Sequence, residues 1–252
     1  MRHLRIAAVA AAVALMVFSV PAMAGSGAQT QPDDGWKVVI YPIYGWAPIH
    51  RATTRLPEVP ESPEGGGPTV PEAESDSSLE QAILAAFRVE KGRFSLEGGF
   101  LYAGLEGEAE RPLLKLEVNT TLADLRAGFE VVPDLYLEAG ARYVGLEMKA
   151  TIDDFPTRSW EPDQWGGVFG LTYRPLLGKN WRLILHGDYG GVGTDSYSIN
   201  GAAKIEWQPL KHFLLVAGVT AIYLNTEGTI GNKSVELEQT LYGPIIGFGI
   251  PF

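Results

Sequence analysis

The stretch of sequence that decides the fold is Tyr242-Gly243-Pro244-Ile245-Ile246-Gly247-Phe248-Gly249-Ile250-Pro251-Phe252. Counted back from Phe252, large apolar residues recur at every second position (Ile250, Phe248 and Ile246), and most positions between them are glycine. Successive side chains of a β-strand point to opposite faces, so this period of two predicts a strand. A strand with one apolar face and one small face is typical of a barrel wall, although the last strand of a soluble sandwich also alternates.

The first 24 residues have the organisation of a secretory signal peptide. Arg2 and Arg5 provide a basic start, residues 6–18 are uninterruptedly apolar, and Pro21-Ala22-Met23-Ala24 ends in a small-residue cleavage pattern. The apolar run is shorter than the roughly 20 residues that a membrane-spanning helix needs. We therefore expect export with cleavage after Ala24. A flexible polar leader over residues 25–35 and one β domain over residues 36–252 are expected to follow.

The composition excludes several classes of function. The 252 residues carry a formal net charge of −10 and contain 30 glycines and no cysteine. An acidic chain is poorly suited to nucleic acid, whose binding requires cations that neutralise phosphates. The absence of cysteine excludes disulfides, thiolate metal sites and lipid attachment at an N-terminal cysteine. Abundant glycine and aromatic residues favour β structure over helix.

The segment from Trp36 to Phe252 divides into ten β-like runs. These runs cover residues 36–49, 78–90, 94–109, 115–131, 136–151, 164–175, 181–193, 197–208, 213–227 and 235–252. Each is longer than the roughly 9–11 residues that a tilted membrane-spanning strand needs. An eight-strand arrangement is the alternative if one hairpin is assigned wrongly.

The connections between these runs alternate in character. Short turns are expected at residues 91–93, 132–135, 176–180 and 209–212, and the other connections cover residues 50–77, 110–114, 152–163, 194–196 and 228–234. Outer-membrane barrels show this asymmetry, with short periplasmic turns and longer external loops. With an even number of strands, a chain that starts on the periplasmic side at Trp36 returns to the periplasmic side at Phe252.

The runs also carry one apolar and one charged face. Leu125, Ala127, Phe129 and Val131 alternate with Asp124, Arg126, Gly128 and Glu130. Aromatic residues are expected to form two interfacial belts around the barrel. One belt, near the short turns, would contain Phe94, Tyr173, Trp181, Trp207, Phe213 and Phe252, and the other would contain Trp46, Tyr102, Tyr143, Trp165, Tyr189, Tyr197 and Tyr223.

Taken together, these patterns resemble the small bacterial outer-membrane barrels, the broad OmpA-like and OmpW-like class. The resemblance covers residues 36–252 and consists of pattern rather than a family motif. It implies an all-β, transmembrane, antiparallel up-and-down β-barrel of ten strands in the outer membrane of a Gram-negative cell. Outer-membrane lipid and lipopolysaccharide would surround it. The barrel assembly machinery would recognise the C-terminal strand, with Phe248, Ile250 and Phe252 as the assembly signal.

Alternation places a set of charged residues on the inward face. They are Arg88, Glu90, Glu97, Arg126, Glu130, Glu138, Arg142, Arg174, Arg182, His186, Asp188, Lys204 and Glu206. Unpaired charges in a narrow barrel would be costly, so we expect the two signs to compensate in one network. The network either fills a barrel too narrow to conduct or lines a small polar pore or binding cavity.

One hairpin allows a more specific expectation for this network. A turn centred near residue 134 would place Glu130 opposite Glu138 and Arg126 opposite Arg142. Like charges would then face one another directly. The contacts between opposite charges would have to be diagonal or reach other strands, for example Glu97 or Arg88.

Three functions are compatible with this sequence. We expect a non-enzymatic, porin-like barrel that passes small solutes through a narrow charged lumen, without a cofactor or metal. The first alternative is a structural or adhesive barrel that acts through external segments such as the Pro-, Glu- and Gly-rich residues 50–77. The second is an enzyme that uses His186 and Asp188; Ser196 and Ser198 follow across the next hairpin, but nothing local places either within hydrogen-bond reach of His186. Residues 50–77 are acidic enough to attract cations, but cation selection needs a fixed geometry.

Overall fold

The computed structural model describes residues 35–46, 49–55, 78–108, 114–152, 158–160, 163–192, 196–230 and 233–252. Their regular elements are the strands β1 (Lys37–Trp46), β2 (Ile49–Arg55), β3 (Ser78–Lys91), β4 (Phe94–Glu108), β5 (Leu114–Val132), β6 (Leu135–Ile152), β7 (Arg158–Trp160), β8 (Asp163–Tyr173), β9 (Trp181–Val192), β10 (Tyr197–Leu210), β11 (Phe213–Ile230) and β12 (Lys233–Pro251). The expected signal peptide, nearly all of the leader and residues 56–77 lie outside the described ranges. The described part of the chain has no helix with the length and apolar character needed to cross a membrane.

The strands form one antiparallel sheet that closes on itself. Neighbours pair in chain order, and β1 closes the sheet because it pairs with both β3 and β12. β2 continues β1 along β12, and β7 extends β8 along β6. The described residues therefore build a closed antiparallel barrel of 10 wall strands. The predicted all-β barrel of ten strands is confirmed, and the alternative of eight strands is wrong.

Three two-residue turns of the described chain lie at one end of the barrel, which we call the turn end. They fall at residues 92–93, 133–134 and 211–212, and a longer connection at residues 174–180 lies at the same end. Gly92 and Asp134 have φ angles of 56° and 64°, the left-handed conformation that tight turns require and that Gly and Asp tolerate. The opposite end, toward the remaining connections, is the loop end.

The outward face of the barrel is apolar and aromatic. Exposed outward residues include Phe94, Leu125, Phe129, Leu137, Phe169, Trp181 and Ile246. Aromatic pairs lie near the turn end (Phe94–Phe129, Trp181–Trp207 and Phe213–Phe248) and nearer the loop end (Tyr143–Trp165 and Tyr189–Tyr197). A continuous apolar band of this kind, bordered by aromatic residues, is the outer surface of a membrane barrel.

Trp46 departs from the expected outer belt. Its side chain is 6% exposed and lies inside the barrel. The pairing of β1 with β12 shifts register between Ile40 and Ile43, and such a bulge moves the following residues to the opposite face. Plain alternation along the sequence does not reveal an inserted residue, so the prediction for Trp46 was wrong.

The interior of the barrel has two layers. The apolar layer, nearer the loop end, consists of Trp46, Leu101, Ala103, Leu122, Val144, Ile222, Leu224, Leu241 and Ile245. The charged layer lies toward the turn end and contains the buried ion pairs described below. A smaller apolar group, Val39, Tyr41, Leu214 and Val216, flanks the charged layer on the side of β1 and β11.

Candidate functional site

The charged layer is possible because glycines occupy inward positions beside its largest side chains. A Cβ on Gly190 would lie 3.2 Å from Nη1 of Arg142, and a Cβ on Gly99 would lie 2.9 Å from Oδ1 of Asp124. A larger residue at either position would push the charged group away. The small residues therefore determine how deeply the charged side chains extend into the lumen.

Arg142 and Asp188 form the most deeply buried ion pair in this layer. Nη1 of Arg142 lies 2.7 Å from Oδ1 of Asp188 and Nη2 lies 2.8 Å from Oδ2. The two side chains are only 2% and 0% exposed. Nη1 also donates to the hydroxyl of Ser198 at 2.9 Å. Such a two-pronged pair fixes both groups in orientation as well as in charge.

His186 links Asp188 to a hydroxyl group. Its Nε2 lies 2.7 Å from Oδ2 of Asp188, and its Nδ1 lies 2.8 Å from Oγ1 of Thr172. A hydroxyl, an imidazole and a carboxylate in this order are the groups of a nucleophilic triad. Here the carboxylate also binds Arg142, and the threonine lies buried in the barrel wall.

The serines proposed as partners of His186 have other partners instead. Ser198 accepts the hydrogen bond from Arg142, and the hydroxyl of Ser196 accepts the backbone N–H of Glu227 at 2.9 Å. In these contacts neither serine takes the place beside His186. Thr172 takes that place because it lies directly opposite His186 in the pairing of β8 with β9.

Arg126 connects several carboxylates. Its guanidinium lies 2.7 Å from Asp124, 3.3 Å from Glu138, 3.4 Å from Asp188 and 3.8 Å from Glu97. Its Nη1 also contacts the ring of His186. Charges from β4, β5, β6 and β9 thus meet at one guanidinium.

The register predicted for the hairpin of β5 and β6 was wrong. Arg142 lies opposite Asp124, Glu138 opposite Gly128, and Arg126 opposite Gly140. The turn occupies only Pro133 and Asp134, and the pairing shifts between Glu130 and Val132. This moves each expected partner by two residues. Opposite charges, Asp124 and Arg142, therefore lie directly across from one another.

A second centre lies closer to the turn end. Arg88 binds Glu206 with two hydrogen bonds, of 2.9 and 2.8 Å, and the hydroxyl of Tyr41 donates to the same carboxylate. Arg174 contacts both Glu90 and Glu97 at 2.8 Å. Arg182 approaches Glu90 at 3.6 Å. These contacts join β1, β3, β4, β9 and β10 and the residue that follows β8.

Two of the predicted residues have separate positions. Glu130 lies beside the turn, where its Oε1 accepts the backbone N–H of Asp134 at 2.8 Å. Burial and this neighbouring carboxylate raise the pKa of Asp134. Lys204 faces the lumen but forms no ion pair with a described residue. The arginines Arg88, Arg126, Arg142, Arg174 and Arg182 face the carboxylates of Glu90, Glu97, Asp124, Glu138, Asp188 and Glu206, and Lys204 completes the balance of charge.

The predicted list of lumen residues omitted Asp124, Thr172 and Tyr41. Asp124 shares the inward face of β5 with Arg126, so alternation was sufficient to include it. Thr172 is uncharged, and the sequence carries no signal of its contact with His186. The partnership of Tyr41 with Glu206 joins residues 165 positions apart in the chain, which only closure of the barrel creates.

A cavity of about 130 Å³ separates the charged layer from the apolar layer. Its apolar side includes Trp46, Leu122, Ile222 and Ile245, and its polar side includes Arg126, Arg142, His186 and Lys204. At roughly 30 Å³ for each water molecule, this space holds about four waters. Within the described ranges, no group of three or more His, Asp or Glu side chains is arranged to hold a metal ion.

The three residues of the proposed assembly signal lie along β12 and just after it. Phe248 pairs with Leu215 and Ile43, and its ring stacks on Phe213 at 6.4 Å. Ile250 pairs with Ile40. The N–H of Phe252 donates to the carbonyl of Val38 at 2.8 Å, and its ring is exposed on the outside.

The chain resembles known proteins in its fold and not in its sequence. No protein-family model matches the chain, and no curated protein matches it in sequence. The outer membrane protease OmpT from Escherichia coli superimposes with a TM-score of 0.52 and 13% identity, covering 88% of this chain and 98% of that one. Ail, the attachment invasion locus protein of Yersinia pestis, gives a TM-score of 0.38 and 11% identity, covering 87% and 99%. The likeness to OmpT shows that the chain has the fold of an outer-membrane β-barrel.

Proposed function

We propose that the protein is a non-enzymatic barrel of the outer membrane with a closed lumen. It serves as a structural or adhesive scaffold for the segments at its loop end. The observation that carries this proposal is the filling of the lumen by two successive layers. Between the two layers the described residues leave a cavity of about 130 Å³.

Each layer opposes the passage of a solute in a different way. An ion that crosses the charged layer has to separate pairs such as Arg142 and Asp188. Breaking a buried pair on one side costs about 3–5 kcal/mol. The apolar layer offers an ion no polar contacts, and hydrophobic constrictions block pores by excluding water. A solute therefore meets two barriers in series.

Recording from planar bilayers tests this proposal. We expect purified, refolded protein to produce no conductance steps above the lipid background. A steady open channel would contradict the closed lumen. A Leu122→Ser variant tests whether the apolar layer contributes to the closed state. Because serine lowers the apolar barrier, we expect this variant to show brief channel openings.

Passive transport of small solutes is the second candidate. The cavity favours it, because Arg126 and Lys204 offer a polar resting place inside the wall. If the barrel transports solutes, the wild type conducts, and replacement of Arg126 or Arg142 by methionine changes its ion selectivity. The same recordings therefore separate the two candidates.

The proposal of a non-enzymatic barrel rests on the surroundings of Thr172, His186 and Asp188. A general base needs a carboxylate that orients it and a nucleophile that substrate reaches. Asp188 is shared with Arg142, and Thr172 is buried and borders the interior cavity rather than the outside of the barrel. We expect no hydrolysis of p-nitrophenyl acetate beyond that of a His186→Ala variant. A clear difference between the two proteins would contradict this part of the proposal.

Location and assembly belong to the same proposal. The chain is exported, cleaved after Ala24, surrounded by lipid and lipopolysaccharide, and assembled through Phe248, Ile250 and Phe252. Deletion of Phe252 is expected to lower the amount of folded barrel at the cell surface more than deletion of residues 25–35. Equal amounts would contradict the terminal signal. Deletion of residues 56–68 is expected to abolish adhesion or another external phenotype while the barrel stays folded.

A further inference from the structure

Lys204 differs from the other inward-facing cations. The five arginines of the charged layer each contact a carboxylate, whereas Lys204 forms no ion pair with any described residue. The carboxylate nearest along its own face of β10 is Glu206, which is already held by Arg88 and Tyr41. Glu97 acts on Lys204 at longer range but is bound at 2.8 Å by Arg174.

The wall beside Lys204 is shaped to hold its side chain in the lumen. Gly218 lies directly across from it on β11, and a Cβ on Gly218 would lie 3.0 Å from Cγ of Lys204. The glycine therefore leaves room for the aliphatic stem, and the ammonium borders the cavity. A partly buried ammonium needs water or an anion as its partner.

Arg142 borders the same cavity but has little left to offer a ligand. Its two terminal nitrogens bind Asp188 and Ser198, and its Nε, which has no acceptor among the described residues, is itself buried. The carboxylates that also border the cavity, Glu97 and Asp124, are each bound by an arginine. Lys204 balances the charge of the layer at longer range, and its ammonium is the donor on the polar side that has no ion-pair partner among the described residues.

The opposite side of the cavity is apolar and limits what an anion can carry. Ile222, Ile245 and Leu122 form this side. An engineered apolar cavity of about 150 Å³ binds benzene, so a space of about 130 Å³ suits one ring or a chain of a few carbons. Hydrated inorganic anions leave the apolar side without contacts, and larger acids do not fit.

We propose that the cavity between the charged and apolar layers binds one small monocarboxylate with an apolar body. The carboxylate lies against Lys204, and the apolar body packs against Ile222 and Ile245. This site does not depend on whether the barrel conducts, because binding and passage are separate events.

The test uses the full chain refolded in detergent and ¹⁹F NMR titration with 4-fluorobenzoate. Two probes of the same shape accompany it, neutral 4-fluorobenzamide and cationic 4-fluorobenzylamine. We expect saturable binding of the benzoate and at least about tenfold weaker binding of the amide, because charge-assisted hydrogen bonds are the stronger ones. Absence of saturable benzoate binding, or equal binding of the amide, overturns the proposal.

Variants locate the site. Lys204→Met is expected to weaken benzoate binding at least about tenfold, while Lys204→Arg retains most of it. Ala202→Leu, which fills the cavity from β10, is expected to abolish binding. The matched control is Lys149→Met, which removes the same charge from an exposed position at the loop end. Equal binding by Lys204→Met and Lys149→Met, both folded by heat-modifiable gel mobility, overturns the proposal. If Lys204→Met does not fold, the benzamide comparison and Ala202→Leu decide.

Discussion

Arg142 and Leu241 both project into the lumen and are almost fully buried, but different interactions hold them in place. Arg142 lies in the charged layer, where its energy depends on specific partners on β9 and β10. Leu241 lies in the apolar layer, 0% exposed, where any side chain of similar volume makes similar contacts. Loss of Arg142 leaves the buried Asp188 with only His186 and the more distant Arg126 to compensate its charge, whereas loss of one apolar group leaves only a space. A single substitution in the charged layer should therefore lower the stability of the barrel more than a single substitution in the apolar layer.

The largest effect is expected for Arg142→Met. The change removes the two hydrogen bonds to Asp188 and leaves that carboxylate in a site with almost no exposure. We expect the free energy of unfolding to fall by about 3–5 kcal/mol, as in other one-sided removals of a buried charge. Urea unfolding in liposomes or detergent, followed by tryptophan fluorescence, measures it.

A loss below about 1 kcal/mol for Arg142→Met would mean that solvent reaches and screens the charged layer. The closed lumen would then be wrong, and the passive-transport alternative would gain. Arg142→Lys serves as the control, because it keeps the charge but cannot form the two parallel hydrogen bonds. We expect its loss to be intermediate.

The next effect in size is expected for Leu241→Ala in the apolar layer. Removal of a buried leucine side chain costs about 2–5 kcal/mol, depending on how far the surroundings collapse. Leu241→Met keeps the volume and is expected to cost less than about 1.5 kcal/mol. If methionine were as damaging as alanine, the layer would require a specific shape, and its contrast with the charged layer would weaken. The same unfolding measurement serves for both variants.

A smaller effect is expected for the interaction free energy between Arg88 and Glu206 in the charged layer. Arg88→Met and Glu206→Gln each remove one side of this pair and leave the other with Tyr41 or Glu90 alone, whereas the double variant removes both charges. We expect the double variant to be more stable than the sum of the single losses predicts, by about 1–3 kcal/mol. Additive losses would show that the two residues act independently, despite their contact.

The elements of the fold could be predicted from the sequence because alternation and turn residues are local. The ten wall strands, the turn at Pro133 and Asp134 and the inward position of Arg126 all follow from period two. Register could not be predicted in the same way. The shifts near Ile40 and Val132 insert single residues, and they moved Trp46 inward and placed Asp124 rather than Arg126 opposite Arg142.

The partners within the candidate site were harder to predict for a related reason. A period of two tells which face a residue occupies, but not its height in the barrel or its neighbour across the lumen. His186 and Asp188 share a strand, so their contact followed from spacing. The pairs Arg88–Glu206 and Arg142–Asp188 join distant strands and depend on closure of the sheet. The apolar layer was missed because its members stand among other apolar residues, as Leu101 does between Phe100 and Tyr102, so alternation does not single out their inward face.

The smallest effect is expected for the ion pair of Lys149 and Glu147 at the loop end. Their charged atoms are 2.7 Å apart, the same separation as in Arg142 and Asp188, but the two side chains are 42% and 38% exposed. Water solvates both groups before and after the pair is broken, so proximity alone contributes little. We expect Lys149→Met to leave the urea midpoint unchanged within experimental error, and any residual difference to disappear in 1 M salt. The loss in Arg142→Met should persist at that salt concentration, because ions do not enter the filled lumen. A salt-sensitive loss in Arg142→Met would place its charge in contact with solvent, and equal losses in the two variants would remove the distinction between buried and exposed pairs.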